Sequence, residues 1–305
     1  MRTSPSIAIL GSLIVDFRVR LPRAPQDGET LAVLESGLFA GGKGLNQAVG
    51  VERLGGRSHL IGRVGDDLFG KFLVDALRKE KMAVDGIGAD PAVPTGTAIP
   101  ISEGDRQYIL HVPGANQTLV AAEVSAALEA KTGIGYLLLQ GEVNREANLV
   151  AALYAKEHGV CVILDPAPAH AVSEDLLLLA DYLTPNQAEL SQLTHSEVAR
   201  DVDEAIGQAD LLFAREPHLT GVIATLGPWG AYVASRQGHF RVGAPTVKAE
   251  DPTAAGDVFN AAMVVTLAKG GMLRDAVERG VVAGSYACQI AGVLPSIPTA
   301  KDLGW

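Results

Sequence analysis

The sequence predicts an α/β fold, a mostly parallel sheet with helices on both faces. After Gly114, helix-like and strand-like segments alternate at the spacing of βαβ units. Val160–Leu164 and Val222–Leu226 are apolar on both faces, as central parallel strands are. Two extended regions, about 12–40 and 94–113, break that rhythm and predict a small second sheet suited to act as a lid. No linker, internal repeat or low-complexity tract divides the 305 residues, so the expected organisation is a single domain over 1–305 with that lid inserted.

In chain order, Ser6–Gly11 reads as a buried strand ending in a turn. Leu13–Leu21 and Leu31–Phe39 are extended runs joined by the turn-rich Pro22–Glu29. Gly41–Gly44 interrupts the chain before a helix over Asn46–Leu54, and Leu60–Val64 is a strand. Leu68–Lys81 has helical apolar spacing, with Phe69, Phe72, Leu73 and Leu77 expected on one side. Thr97–Ile101 and Tyr108–Val112 form a hairpin pattern. Helices are then expected at Ala121–Ala130, Arg145–His158, Ser173–Leu179 and Ala188–Leu193. The strands between and after them are Tyr136–Leu139, Val160–Leu164, Tyr182–Thr184 and Val222–Leu226. Two long helices, Gly256–Ala268 and Leu273–Gly292, close the pattern.

Composition narrows the function. A formal net charge of −10 argues against a binder that holds nucleic acid on a broad basic surface, but not against a small phosphate site. Two cysteines, Cys161 and Cys288, exclude a disulfide scaffold and a multi-cysteine zinc site, and read as buried free thiols. No apolar run approaches the roughly 20 residues of a membrane helix, and Ile7–Leu10 is too short for a signal-peptide core. The expectation is a soluble, cytoplasmic protein without nucleic-acid or membrane partners.

Four segments carry chemistry. In Asp251-Pro-Thr-Ala-Ala-Gly-Asp257-Val-Phe-Asn260, the small residues Ala254, Ala255 and Gly256 lead into a helix. Their backbone N–H groups form an anion site, and Asp257 in the first turn is placed to accept a hydroxyl proton. Without a ligand, Asp257 would be only a favourable first-turn acid. In Gly41-Gly42-Lys43-Gly44-Leu45-Asn46-Gln47-Ala48, three glycines around a lysine let backbone approach a ligand while Lys43 and Asn46 offer donors. Taken alone, the segment also reads as a flexible loop. It imitates a P-loop, but Gly44 stands where Ser or Thr should ligate magnesium. Asn186 and Glu189 fit a capping box, or a place beside a metal–triphosphate. Thr225-Leu226-Gly227-Pro228-Trp229-Gly230 follows a buried strand, at the end where parallel sheets bind ligands.

In this order the segments resemble the ribokinase family of sugar and nucleoside kinases, also called the PfkB family. The similarity runs from Gly11-Ser12 and Asp16 to Pro295-Ser296-Ile297-Pro298, through Gly114-Ala115-Asn116 and Asp165-Pro166-Ala167-Pro168. It implies a ribokinase-like three-layer sandwich with a β-lid that makes a homodimer contact. It implies ATP-dependent phosphoryl transfer to a sugar hydroxymethyl group, ribose being the first acceptor to test. Asp257 matches the family's general base, and Ala254, Ala255, Gly256 and the Asp257 N–H its anion hole. Asp16, Gly42, Lys43, Asn46 and Glu142 match sugar contacts. Asn186, Thr225, Gly227 and Gly230 would lie along ATP, and Glu189 would hold Mg2+ through water. Asp251, Thr253, Ala287, Ile290, Gly292 and Ser296 match a site for an activating monovalent cation, K+. One departure stands out: Ile14 replaces the family's sugar-binding Asn two residues before Asp16. An apolar side chain there suits a deoxysugar, a different ring substituent or a nucleoside. The alternatives are a nucleoside kinase or fructokinase-type enzyme of the same family and, in another class, a non-catalytic sugar- or nucleotide-sensing protein.

Overall fold

The computed structural model describes residues 5–104 and 106–305. Among the described residues thirteen strands form two sheets. β1 (Ser6–Leu10), β4 (Ser58–Gly65), β5 (Ile87–Asp90), β8 (Ile134–Gln140), β9 (Cys161–Asp165), β10 (Tyr182–Leu183), β11 (Gly221–Thr225), β12 (Ala231–Ser235) and β13 (Gly238–Val242) make the large one. β2 (Ile14–Leu21), β3 (Glu35–Gly41), β6 (Gly96–Glu103) and β7 (Arg106–Val112) make the small one.

The large sheet runs β13-β12-β11-β10-β9-β8-β1-β4-β5. Every neighbouring pair from β5 to β11 is parallel; the β11–β12 and β12–β13 pairs are antiparallel. Each strand feeds alternate side chains to opposite faces, the period-two rule of a strand. Ile7, Ile9, Leu138, Ile163, Ile223 and Val233 meet one set of helices. Those helices are α1 (Lys43–Arg53), α2 (Leu68–Lys79), α8 (Ala255–Ala268) and α9 (Leu273–Ala287). Ala8, Leu10, Leu139, Leu164, Ala224 and Ala234 meet the other set. It contains α3 (Ala121–Glu129), α4 (Arg145–His158), α5 (Glu174–Leu177), α6 (Gln187–Thr194) and α7 (Val202–Arg215). A four-residue helix, α10 (Val293–Ser296), follows α9. The expected three-layer sandwich is therefore the observed one.

Connections leave β1 in both directions, toward β4 on one side and β8 on the other. That reversal opens a crevice beyond the carboxyl ends of β1, β8 and β9, the place where open α/β sheets bind ligands. The small sheet runs β3-β2-β6-β7 and grows out of the same edge. Asn116 fastens the junction: its Oδ1 accepts from Leu13 N at 2.9 Å, and its Nδ2 donates to Leu13 O at 3.0 Å.

Several expectations change in detail. α1 begins at Lys43, three residues early, because its glycines pack tightly and do not form a loose loop. Gly42 has φ 98°, and a Cβ on Gly44 would lie 2.5 Å from the Gly11 carbonyl carbon. α2 buries Gly70, Leu73 and Leu77, while Phe69 and Phe72 are exposed. The apolar stripe passes through Gly70, so the two Phe rings fall beside it. The last helix ends at Ala287, and Gly292 at φ 93° turns the chain into α10. Cys161 and Cys288 are free thiols, half-buried and not fully enclosed; burial pushes the Cys161 thiol up to about 12. Among the described residues no helix is long and apolar enough to cross a membrane.

Candidate active site

A cavity of about 1030 Å³ lies between the small sheet and the carboxyl edge of the large one. Ile14, Asp16, Gly42, Lys43, Asn46 and Glu142 line it together with Glu189, Asp251, Thr253, Ala254 and Asp257. Residues more than 200 positions apart in the chain thus converge on one space.

The floor comes from α1. Lys43, Asn46 and Gln47 stand at i, i+3 and i+4, so they share a helix face. Asn46 Nδ2 donates to Asp257 Oδ2 at 2.8 Å, and Gln47 Nε2 to Asp257 Oδ1 at 3.1 Å. Lys43 Nζ lies 3.2 Å from Asp165 Oδ2 and 3.8 Å from Asp257 Oδ1. Gln47 Nε2 also reaches Asp165 Oδ2 at 3.2 Å, and Gln140 Nε2 holds Gln47 Oε1 at 2.8 Å. The lysine of the P-loop look-alike therefore faces two carboxylates instead of a cradle of backbone N–H groups. Asn46 Oδ1 is buried without a donor among the described residues. A buried amide oxygen left open at a polar cavity fits a ligand hydroxyl.

Burial and charge set the ionisation. Asp257 is buried, and burial raises its pKa against the pull of Lys43, Asn46 and Gln47. Asp165 is raised to about 7, by burial first, with Lys43 opposing. Burial works against the Lys43 charge, but Asp165, Asp257, Glu142 and Glu189 together hold the amine protonated, well above the usual lysine range. Asp16, on the small sheet, is raised to about 6 by burial and by Glu142 and Asp251, with Arg18 opposing. Its carboxylate has no hydrogen-bond donor among the described residues. Glu142 accepts from Ser12 Oγ and, at 3.3 Å, from Lys43 N. Ile14 is buried against the cavity, next to the polar Asp16, and Val19, Phe39, Ile101 and Ile109 add further apolar surface to the lining.

The anion cradle opens α8. Ala254 adopts the left-handed conformation at φ 66°, which costs a non-glycine residue about 1–2 kcal/mol and turns the chain into the helix. No side chain caps α8. Ala255 N is already taken by Pro252 O at 3.2 Å, narrowing the expected anion hole. The N–H groups of Gly256 and Asp257 have no acceptor among the described residues and carry the positive end of the helix dipole.

Asn186 and Glu189 form a complete capping box at α6. Each Glu189 oxygen accepts once from Asn186, at 2.8 Å, and keeps a further lone pair. Burial raises this carboxyl, with Lys43 and Asn186 opposing. That leaves an acceptor suited to water around a magnesium ion rather than to direct ligation. Thr225, Gly227 and Gly230 lie beyond the cavity wall at the end of β11, where Thr225 bridges to Asn186. Asp251, Thr253 and Gly292 line the cavity, whereas Ala287, Ile290 and Ser296 stand behind it. Both Asp251 oxygens are engaged: Oδ2 accepts from Arg18 Nη1 at 2.7 Å and Gly292 N at 3.1 Å, and Oδ1 accepts once, from Thr253 N at 2.9 Å. Burial alone would raise it, but Thr253, Arg18 and Gly292 bring it down to about 2.

Sequence reasoning gave no role to Gln47 or Asp165, although both lie in segments that it singled out, and it did not single out Gln140 or Arg18. Gln47 was legible from its helical spacing to Lys43, and Asp165 from its place at the end of a parallel strand. Nothing in the sequence alone pairs Arg18 with Asp251.

The fold and this site define an α/β protein with a buried carboxylate beside an anion cradle, the equipment of a phosphotransferase. The chain matches the pfkB family carbohydrate kinases over residues 4–300 and belongs to that family. It is 35 % identical over 310 residues to a ribokinase of Schizosaccharomyces pombe, covering 98 % of this chain and 96 % of that one. It is 34 % identical to a ribokinase of Haemophilus influenzae, covering 97 % and 96 %. The structure of Arabidopsis thaliana ribokinase complexed with ribose and ATP superposes with a TM-score of 0.87 at 27 % identity, covering 99 % and 98 %.

Proposed function

We propose that the chain is an ATP-dependent kinase that phosphorylates the hydroxymethyl group of a pentose, ribose being the first acceptor to test. The observation that carries this is Asp257: a buried carboxylate held by Asn46 and Gln47, next to two open helix N–H groups, facing the cavity. The sugar lies on Asp16, Gly42, Lys43, Asn46 and Glu142. Asp16 and Asn46 Oδ1 accept its ring hydroxyls, and Lys43 donates. The hydroxymethyl O–H gives its proton to Asp257 as the oxygen attacks the γ-phosphorus. The bond to the β–γ bridging oxygen breaks and ADP leaves. Gly256 and Asp257 N–H groups hold the charge on the transferring phosphoryl group. ATP runs past Glu189 along Asn186, Thr225, Gly227 and Gly230. Magnesium, carried by water on Glu189, would neutralise the phosphates.

Ile14 favours a second acceptor, a pentose lacking a hydroxyl at that wall, since a buried isoleucine cannot pair with one. The small sheet acts as a lid, and its exposed Phe17, Leu38, Leu110 and Val112 support a homodimer through its outer face. An ATP-consuming enzyme of this kind belongs in the cytoplasm. Asp251, the one carboxylate matching a potassium site, is already paired with Arg18 at 2.7 Å.

The test is ADP release with ribose, deoxyribose, fructose and nucleosides, for the native chain and Asp257→Asn. Turnover with a pentose, and a variant slower by about 10²–10⁴-fold, is the expected result. A variant with full turnover removes Asp257 as the base. No product from any acceptor removes the kinase reading.

A further inference from the structure

Arg18 is a charged side chain for which the proposed reaction has so far found no use. It points from β2 into the cavity, two residues beyond Asp16 and on the same face. Its Nη1 reaches across to Asp251 Oδ2 at 2.7 Å, joining the small sheet to the loop that leads into the anion cradle. Both groups are largely sheltered, with side-chain exposures of 25 % and 15 %. The guanidinium carbon stands 5.4 Å from the centre of the Phe39 ring, a cation–π contact from the neighbouring strand. Arg18 Nε is buried and has no acceptor among the described residues.

Asp251 is the only carboxylate among the residues that match a monovalent-cation site, several of which would act through backbone carbonyls, so its side chain is the one negative charge that the site offers an ion. The Asp251 oxygens are held by Arg18, Gly292 N and Thr253 N. A potassium ion would have to share Asp251 with a guanidinium of the same sign. The residues present therefore do not fit that ion.

We propose that Arg18 is the fixed counter-charge of Asp251, standing in place of the monovalent cation that the family resemblance implies, so that this protein works without potassium. Arg18 is a positioning residue. It neutralises the carboxylate that would otherwise set a negative charge three residues before Ala254, and it leaves Asp251 bonded to Thr253 and Gly292. These bonds hold the turn from which the cradle N–H groups project. Because the charge is covalently attached to the small sheet, that sheet and the cradle are tied together without an ion from solution.

The proposal rests on the kinase reading for its activity arm only, and a binding arm keeps the two separable. ADP release is measured in potassium chloride and in tetramethylammonium chloride at equal ionic strength, for the native chain and for Arg18→Met. The thermal midpoint of each protein, without substrates, is followed in the same salts. The expected result is equal native rates in both salts and a native midpoint that potassium does not move. Arg18→Met should be several-fold slower in tetramethylammonium, be rescued by potassium, and gain thermal stability from it. Several-fold potassium activation of the native chain, or a native midpoint raised by potassium over tetramethylammonium, overturns the proposal. So does an Arg18→Met protein that is fully active in tetramethylammonium, or one whose midpoint ignores potassium. If no acceptor is turned over, the kinase reading falls, and the midpoints still decide whether Arg18 stands in the cation's place.

Discussion

Asp16 offers a pH test whose size follows from its surroundings. The carboxyl titrates at about 6 instead of 3.8, raised by burial and by Glu142 and Asp251. Two units correspond to about 3 kcal/mol of penalty on the ionised form. The ionised form accepts from sugar hydroxyls through both oxygens, in charge-assisted bonds stronger than those of the neutral acid. In the free protein, the ionised fraction falls about tenfold for each unit of pH below the titration. KM for the sugar should therefore be flat above pH 7 and rise about tenfold per unit below pH 6. Asp16→Asn should raise KM at neutral pH and erase that limb. Stability must move the other way. A carboxyl whose folded pKa is raised contributes stability that is fully present below the unfolded pKa and lost as pH rises through the folded one. The window here runs from about 4 to about 6. At neutral pH the variant should be more stable, by at most about 3 kcal/mol before solvent screening. Initial-rate kinetics across pH and thermal melts of both proteins check the two halves. A KM independent of pH from 5 to 8, or an Asp16→Asn protein with a lower melting temperature at pH 7, would refute the reasoning.

Two further outcomes follow from the same geometry. Gly44→Ala should destabilise the fold by more than about 2 kcal/mol, because its Cβ would lie 2.5 Å from the Gly11 carbonyl carbon; a denaturant titration reads this, and a neutral result would contradict the close packing. Asp165→Asn removes a carboxylate that shares Lys43 and Gln47 with Asp257 and repels it directly. The acid limb of kcat should move to lower pH, and a limb that stays or moves up would argue against this coupling.

Much of the molecule is legible in the sequence because burial imposes simple patterns. Val160–Leu164 and Val222–Leu226 are apolar on both faces, and each lies within a residue of an observed strand. The interrupted N-terminal rhythm corresponds to β2, β3, β6 and β7. What escapes the reading has physical reasons. β13 is an edge strand with mostly exposed residues, so it lacks an apolar signature. α1 begins inside a glycine run because those glycines allow backbone to touch backbone, a contact that no local rule reveals. The carboxylates show the same division. Asp257 is marked by the small residues before it, but its bonds to Asn46 and Gln47 span more than 200 positions.

The contact between Gly11 and Gly44 also bears on how such a protein can change over evolutionary time. The floor of the cavity rests on two glycines pressed together, where any side chain would force the backbone apart. That half of the pocket is closed to variation by substitution. The opposite wall belongs to β2, a strand of the small sheet whose Ile14, Asp16 and Arg18 face the cavity from outside the main core. Exchanges there alter what the pocket accepts without disturbing the floor. New acceptor preferences should arise by mutating this one strand while Asp257 and its amide partners stay fixed, so the small sheet is where lineages of this fold can diverge.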